Sequence, residues 1–482
     1  MKIKILNIII VILGLGIASC SDFLDLYPET SLNESNFYKS DNEFVLLVSG
    51  AYIPMRNYER QNHWYITELK SDNLRLQSSH LAGWLDVDVL ESFQATSGNT
   101  IYESFWNTSY NGIYRCNTTI EAIQNSSHVW SNAKLKSRTL GEAYFLRALY
   151  YFHLARQFGG VPLVLKRVPG VDAIDIKRST VDDTYKQIIA DLEAAIEHLS
   201  QASDVEEKGR ANKGAAQALL GKVYLTIKNY AAAETQLGAV IRSGQFRLRD
   251  KYAEVFTPAV KDYTETLFSI QYSESTSDLS NNFIFLQAPY RSGGDVTQRP
   301  NVALGSSGMM QPTVELLNAF EEGDERYDVA IRIWTGINNL GVITDLPYCA
   351  KYKPPQTAIL GWCGDNFPIL RYADVLLMYS EVLNSLNRTA EAIPYLAQVR
   401  QRAGLTTGTI AGKEALAAIL EKERQIELCF ENHRWYDLVR TDRAIEVMRA
   451  QGKTIQSHHV LSPIPGQQVL INQIAQNPGY GD

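Results

Sequence analysis

The sequence predicts a mainly α-helical protein: a tetratricopeptide-type scaffold of paired helices carrying long irregular loops and a few short strands. Three observations predict it. Several segments repeat apolar residues with helical periodicity. Two helix pairs share the same small-residue spacing. Between them lie stretches rich in Ser, Asn, Gly and Pro, in which only short alternating runs suggest strands.

The first helix of the repeat region is Thr139–Phe158 (TLGEAYFLRALYYFHLARQF). Its continuous apolar and aromatic stripe is closed by Gly159-Gly160 and Pro162. Tyr144, Phe145, Tyr150, Tyr151 and Phe152 read as helix packing. Asp182–Leu199 follows, opening on acids that suit the positive end of a helix dipole. Ala211–Ile227 and Tyr230–Ser243 turn at Lys228-Asn229. Arg371–Leu386 pairs with Thr389–Arg402, ending at Gly404, and Lys413–Glu431 is a long last helix. In the first pair, Gly221 precedes Ala233 by 12 positions and Ala233 precedes Leu237 by 4. Ser380, Ala392 and Leu396 repeat both intervals. A small residue on one helix and an Ala on the next let two helices approach closely, which is the tetratricopeptide pattern. The helices at 139–158 and 182–199 read as a third unit opened by the loop 159–181.

Other stretches do not read as helices. Residues 63–100 are polar and loop-like. Residues 257–312 are rich in Ser, Asn, Gly and Pro, with Thr266–Tyr272 a short strand, and 335–368 form a Gly/Pro-rich insertion. Asp324–Ile333 reads as a helix leading to Trp334. Long loops in a compact body are often functional.

The first 20 residues form an address label. Lys2 and Lys4 precede an apolar run, Ile5–Ile17, and Ala18-Ser19-Cys20 supplies small residues before a cysteine. This is the layout of a secretory signal (1–19) with a lipobox, so acylated Cys20 is expected to tether residues 20–482, a single domain, to a membrane. Cys116, Cys349, Cys363 and Cys429 remain. Cys349 and Cys363 can pair, and no Cys/His spacing suggests zinc. The sequence leaves a structural metal ion undecided.

Of 482 residues, 46 are Lys or Arg and 53 Asp or Glu, a formal charge of −7. An acidic chain gains nothing from counterion release, which argues against nucleic acid as partner. Catalytic and cofactor motifs are missing: no phosphate-binding loop, no H-E-x-x-H, no G-x-S-x-G. Asp86 and Asp88 are too ordinary a pair, among 53 acids, to argue for a glycosidase.

Six blocks, taken together, carry a resemblance: Cys20-Ser21-Asp22-Phe23-Leu24-Asp25 with Pro28; Gly141-Glu142-Ala143-Tyr144-Phe145-Leu146-Arg147-Ala148 through Val161-Pro162-Leu163; Ile369–Leu377; Val399–Gly404; Glu423–Arg440; and Leu461–Tyr480. In this order they resemble SusD/RagB-type lipoproteins along the whole chain. Ser380 and Val382 stand where Ala is frequent in that family. The resemblance implies a cell-surface, outer-membrane lipoprotein that is not an enzyme. It implies capture of oligosaccharides for a SusC-like TonB-dependent barrel, with repeats over about 139–243 and 369–437. It places the glycan-binding loops at about 60–105 and 257–365. Within those loops, Trp84, Tyr290 and Trp334 are the candidate stacking platforms, with Trp362 behind them. Asp72, Asn73, Arg75 and Arg291 are the candidates for hydroxyl forks, although capping or loop hydrogen bonding competes for Asp72 and Asn73. Trp106 and Trp435 read as core. Rival readings are peptide or glycoprotein-fragment cargo, a polysaccharide hydrolase, and a scaffold that binds only protein.

Overall fold

The computed structural model describes residues 38–77, 85–168, 176–257, 262–290, 292–297, 310–337, 341–354 and 363–481. In chain order the helices are α1 (Asp41–Glu59), α2 (Asn62–Ile66), α3 (Leu85–Glu91), α4 (Thr100–Asn125), α5 (Ala133–Phe158), α6 (Val181–His198), α7 (Lys213–Thr226), α8 (Tyr230–Arg242), α9 (Phe283–Gln287), α10 (Gly294–Thr297), α11 (Val314–Ala319), α12 (Tyr327–Ala330), α13 (Tyr372–Ser385), α14 (Thr389–Arg402), α15 (Lys413–Glu427), α16 (Arg434–Arg440), α17 (Ala444–Ala450) and α18 (Gly466–Asn472). The strands are β1 (Leu74–Leu76), β2 (Thr266–Ile270), β3 (Met310–Pro312), β4 (Ile331–Ile337), β5 (Ile343–Cys349) and β6 (Phe367–Arg371). They form three antiparallel pairs, β1–β3, β2–β6 and β4–β5. No helix among the described residues is long and apolar enough to cross a membrane.

Polar caps start the scaffold helices. Asn99, Asn132, Thr180, Asn212 and Asn229 each place a side-chain oxygen on a free N–H of the first turn of α4, α5, α6, α7 and α8. Small residues then set the spacing between helices. A Cβ on Gly221 of α7 would lie 2.6 Å from Leu237 Cγ of α8, and one on Gly112 of α4 would collide with the Tyr150 ring of α5. A Cβ on Gly141 of α5 would meet His198 and Leu199, both at 2.9 Å, at the end of α6. In the α13–α14 pair the Ser380 hydroxyl donates to the Ala392 carbonyl oxygen at 2.8 Å. The 12-residue spacing thus marks real helix–helix approaches in both pairs. The expected third unit forms as well, and Arg147 of α5 ties it to Asp191 of α6 through a two-pronged ion pair.

Two expectations need correction. The stretch 63–100 is not open loop: α2 buries Trp64 and Tyr65 completely, and α3 and β1 occupy part of the rest. Asp324–Ile333 is not one helix either. A single turn, α12, gives way at Ile331 to β4, which pairs with β5 from Ile331↔Cys349 to Ile337↔Ile343. β-branched Ile331, Ile333 and Ile337 suit a strand better than a helix. Trp106 and Trp435 are core, and so are Phe145, Tyr150, Tyr151 and Phe152. Cys349 and Cys363 are not joined by a disulfide: both side chains are buried, in separate apolar clusters.

The last helices are locked by buried charge. Arg371 lies between Glu265, Glu427 and Glu431, at 2.8, 2.9 and 2.7 Å. Arg326 holds Asp324, Glu423 and Glu427, and Lys351 holds Glu431. Burial alone would raise the Glu427 carboxyl, but the guanidinium groups of Arg402, Arg371 and Arg326 keep it well below the usual carboxylate range. Arg424 joins α15 to Asp374 of α13 and Asp437 of α16.

Candidate functional site

Three-residue β1 pairs with β3 in the register Leu74↔Pro312, Arg75↔Gln311 and Leu76↔Met310. This short ladder joins the two loop regions that the sequence separates by more than 200 residues. Beside β1, residues Gln61, Asn62, Tyr65, Leu85, Asp86 and Thr100 line an open groove of about 550 Å³. Gln61 donates from Nε2 to the Tyr65 hydroxyl. Leu85, at the start of α3, is 72% exposed. Asp86 is already engaged: its Oδ2 accepts from the Thr100 amide and hydroxyl at the start of α4. That is a helix-end role rather than one half of an acid/base pair.

The β4–β5 hairpin belongs to the same assembly of loops. Alternation along β4 puts Arg332, Trp334 and Gly336 on one face and Ile333, Thr335 and Ile337 on the other. Trp334 is half-buried. Its Nε1 donates to Asp295 Oδ2 at 3.1 Å, and with Tyr348 it packs on Ile284, Phe285 and Val296. Gly336 makes room for the indole: a Cβ there would collide with the Trp334 ring. The ring is therefore held in one orientation, which lowers the ordering cost of stacking a ligand on its free part.

The expected forks divide. Arg75 is exposed and available. Asp72 and Asn73 are not on a binding surface: both are buried. Arg434 donates to the two carboxylate oxygens of Asp72 at 2.7 and 2.8 Å, Asn73 donates to Glu68, and Gln425 donates to both residues. They tie the β1 strand to α15 and α16, the loop-bonding role that competed for them in the sequence. Tyr290 is half-buried just after α9. Trp84, Arg291, Trp362 and Cys20, the residue expected to be acylated, lie outside the described residues. Gln61, Asn62 and Leu85 carried no signal in the sequence, because neither an amide pair nor an exposed Leu is distinctive until folding sets them around one groove.

One described cluster has the composition of a metal site: Glu59, His63 and His153, all buried. Its atoms are taken up by the protein. His63 Nδ1 lies 2.8 Å from Glu59 Oε1, His153 Nδ1 lies 2.7 Å from the Tyr58 hydroxyl, and Asn432 donates to Glu59 Oε2 at 3.0 Å. Burial, reinforced by His63, Arg156 and Lys222, holds His153 far below the ordinary imidazole range. Arg156 and Lys222 nearby disfavour a cation there, so the cluster acts as a hydrogen-bonded polar pin between α1, α2 and α5.

Comparison with known proteins follows from this geometry. Residues 22–225 match a family model described as starch-binding associating with outer membrane, and residues 352–480 match the SusD family model. The chain belongs to the SusD/RagB family. A SusD-like protein, P38, of Formosa agariphila is 28% identical, with 91% of this chain and 92% of that protein aligned. A SusD-like protein of Bacteroides ovatus is 25% identical over 91% of this chain and 82% of its own. Among solved structures, a laminarin-binding SusD-like protein superposes with a TM-score of 0.81 at 25% identity, covering 92% of this chain and all of the other. Surface glycan-binding protein A of Bacteroides fluxus gives 0.77 at 25% identity, with the same coverage. The helical SusD-like fold is common to this chain and both structures.

Proposed function

We propose that this SusD-family protein captures oligosaccharides at the cell surface and passes them to a SusC-like TonB-dependent outer-membrane barrel. It is held at the membrane by acyl chains on Cys20 and performs no chemistry on its cargo. The observation that carries this reading is the β1–β3 ladder, which gathers the groove beside α3 and the Trp334 hairpin into one assembly of loops. Two structural relatives with the same fold are named for laminarin and surface-glycan binding, which supports a saccharide as cargo. The physics agrees. An indole held by Asp295 and Gly336 offers an apolar face to the C–H face of a pyranose ring, while Arg75, Gln61 and Asn62 offer planar polar groups to hydroxyl pairs. A shallow, wet surface of this kind binds modestly and releases its cargo readily, as handover to a transporter requires.

The test is native affinity electrophoresis of the Ser21–Asp482 body through gels containing plant, host-mucin and microbial glycans, laminarin among them. Retardation in at least one gel, with no reducing ends released, is the expected result. Release of reducing ends would replace a binder by a hydrolase. No retardation in any gel, together with co-purification of a barrel, would favour peptide cargo or a scaffold role.

A further inference from the structure

A second pocket, of about 210 Å³, is built from elements that take no part in the loop assembly: α1, the turn 208–210 and the end of β2. Its wall is basic. Arg56, Lys208 and Arg210 line it, in a chain whose formal charge is −7. Arg210 is neutralised, donating to Glu142 at 3.0 Å and to Glu207 at 2.7 Å, and its remaining nitrogen donates to Ser49. Among the described residues the other two cations have no such ion-pair partner. Among the described residues no carboxylate pairs with Arg56, and its Nε is buried without a hydrogen-bond partner. Lys208, among the described residues, donates to the Val205 carbonyl oxygen, and it rests 5.0 Å from the centre of the Tyr263 ring. Burial lowers the Arg56 guanidinium below its ordinary value, neighbouring Arg60 adds to this, and the Asp278 carboxylate offsets it only in part.

The rest of the lining is neutral and polar. Ser269 and Gln271 of the β2 end supply a hydroxyl and an amide, and Tyr52 and half-exposed Ile53 of α1 supply an apolar side. The shape is fixed. Gly209 has φ +90°, and a Cβ there would collide with the Gln271 side chain, so the turn carrying Lys208 and Arg210 is pressed onto the β2 end. The volume lies below the roughly 300–1,000 Å³ of drug-sized sites, which suits one ring rather than a chain.

We propose that this pocket binds the carboxylate of an acidic sugar of the uronate class, with Arg56 and Lys208 on the carboxylate and Ser269 and Gln271 on ring hydroxyls. The anion half of the proposal rests on the pocket alone; the sugar half rests on the glycan-binding reading. The experiment is saturation-transfer NMR titration of the Ser21–Asp482 chain with glucuronate, galacturonate, glucose and inorganic sulfate. Either uronate is expected to bind at least about tenfold more tightly than glucose, to weaken as salt is raised, and to outcompete sulfate. Arg56→Gln and Lys208→Gln should each weaken uronate binding about tenfold while leaving thermal stability and neutral-glycan retardation in gels unchanged. Uronate binding no tighter than glucose binding, or insensitivity to both substitutions, would overturn the proposal. Sulfate competing equally with uronate would leave an anion site and overturn the sugar assignment. Neutral-glycan retardation reads the loop assembly separately, so failure there leaves the pocket's test intact.

Discussion

The junction of α13, α15 and α16 and the β4–β5 hairpin handle polar and apolar groups in opposite ways. At the junction, charges are buried in numbers and each is matched. Arg371 alone meets three carboxylates, and Asp374 accepts from both Lys222 and Arg424. On the hairpin, apolar side chains face outward: Ile333 is 53% and Ile343 71% exposed, and Trp334 keeps one hydrogen bond to exposed Asp295 of α10. The difference separates two tasks. A buried ion network tolerates almost no substitution, because removing one member strands the others in a low dielectric. A half-exposed aromatic on a two-stranded ribbon can be exchanged without endangering the fold, so the proposed contact surface is free to vary while the scaffold stays constant.

Substitutions on the two sides should break this comparison in graded fashion. Arg371→Met removes the cation shared by Glu265, Glu427 and Glu431, leaving Arg402, Arg326 and Lys351 as their remaining partners, and should cost about 3–5 kcal/mol in denaturant unfolding. A cost below about 1 kcal/mol would show that the network is dispensable. Lys70 tests buried charge with the opposite sign. Its amine sits among Trp435, Phe93 and Tyr102, with no carboxylate paired to it among the described residues, and burial pulls its pKa down to about 7. Between that value and the ordinary 10.5, the unfolded chain holds more protons than the folded one, so this group makes stability rise with pH across that window. Its penalty is fully present below pH 7. Lys70→Met should therefore stabilise at pH 7 by about 2–4 kcal/mol and flatten the slope above it, at about 1.4 kcal/mol per pKa unit. Thermal unfolding at pH 6, 8 and 10 reads both effects, and an unchanged slope would contradict the assignment.

Smaller effects follow on the helix pairs and the loops. Gly221→Ala puts a methyl into Leu237 and should cost about 1–3 kcal/mol by calorimetry. Arg75→Ala, at an exposed β1 position, should change stability by less than about 0.5 kcal/mol while reducing glycan retardation. Retardation unchanged by Arg75→Ala would remove that residue from the proposed contact surface.

Much of the scaffold is legible in the sequence because packing leaves a periodic record. Gly221, Ser380 and Ala392 stand where helices touch, and close approach of two helices demands a small residue at just such an interval. The motif around Glu423, Arg424, Glu427 and Glu431 is recognisable as a block, but its pairing is not, because the partners Arg326, Lys351 and Arg371 lie up to 101 residues away along the chain. The loop regions are harder. Asp72 and Asn73 look like ligand forks in a polar stretch, and only the approach of Arg434 and Gln425 shows them to be internal ties. The sequence alone places Trp334 at the end of a helix; the hairpin pairing with β5, a long-range choice, puts it on a strand over Gly336.

The central claim is that the loop assembly, and not the outer faces of the scaffold helices, carries glycan retardation. The most direct measurement compares the wild-type chain, Trp334→Ala and Tyr114→Ala in whichever glycan gel retards the wild type. Tyr114 is an exposed aromatic on the scaffold helix α4. The account predicts that Trp334→Ala migrates as though the glycan were absent, with its unfolding transition within a few degrees of wild type, and that Tyr114→Ala is retarded as wild type is. Retardation kept by Trp334→Ala and lost by Tyr114→Ala would contradict it and move the binding surface onto the repeats.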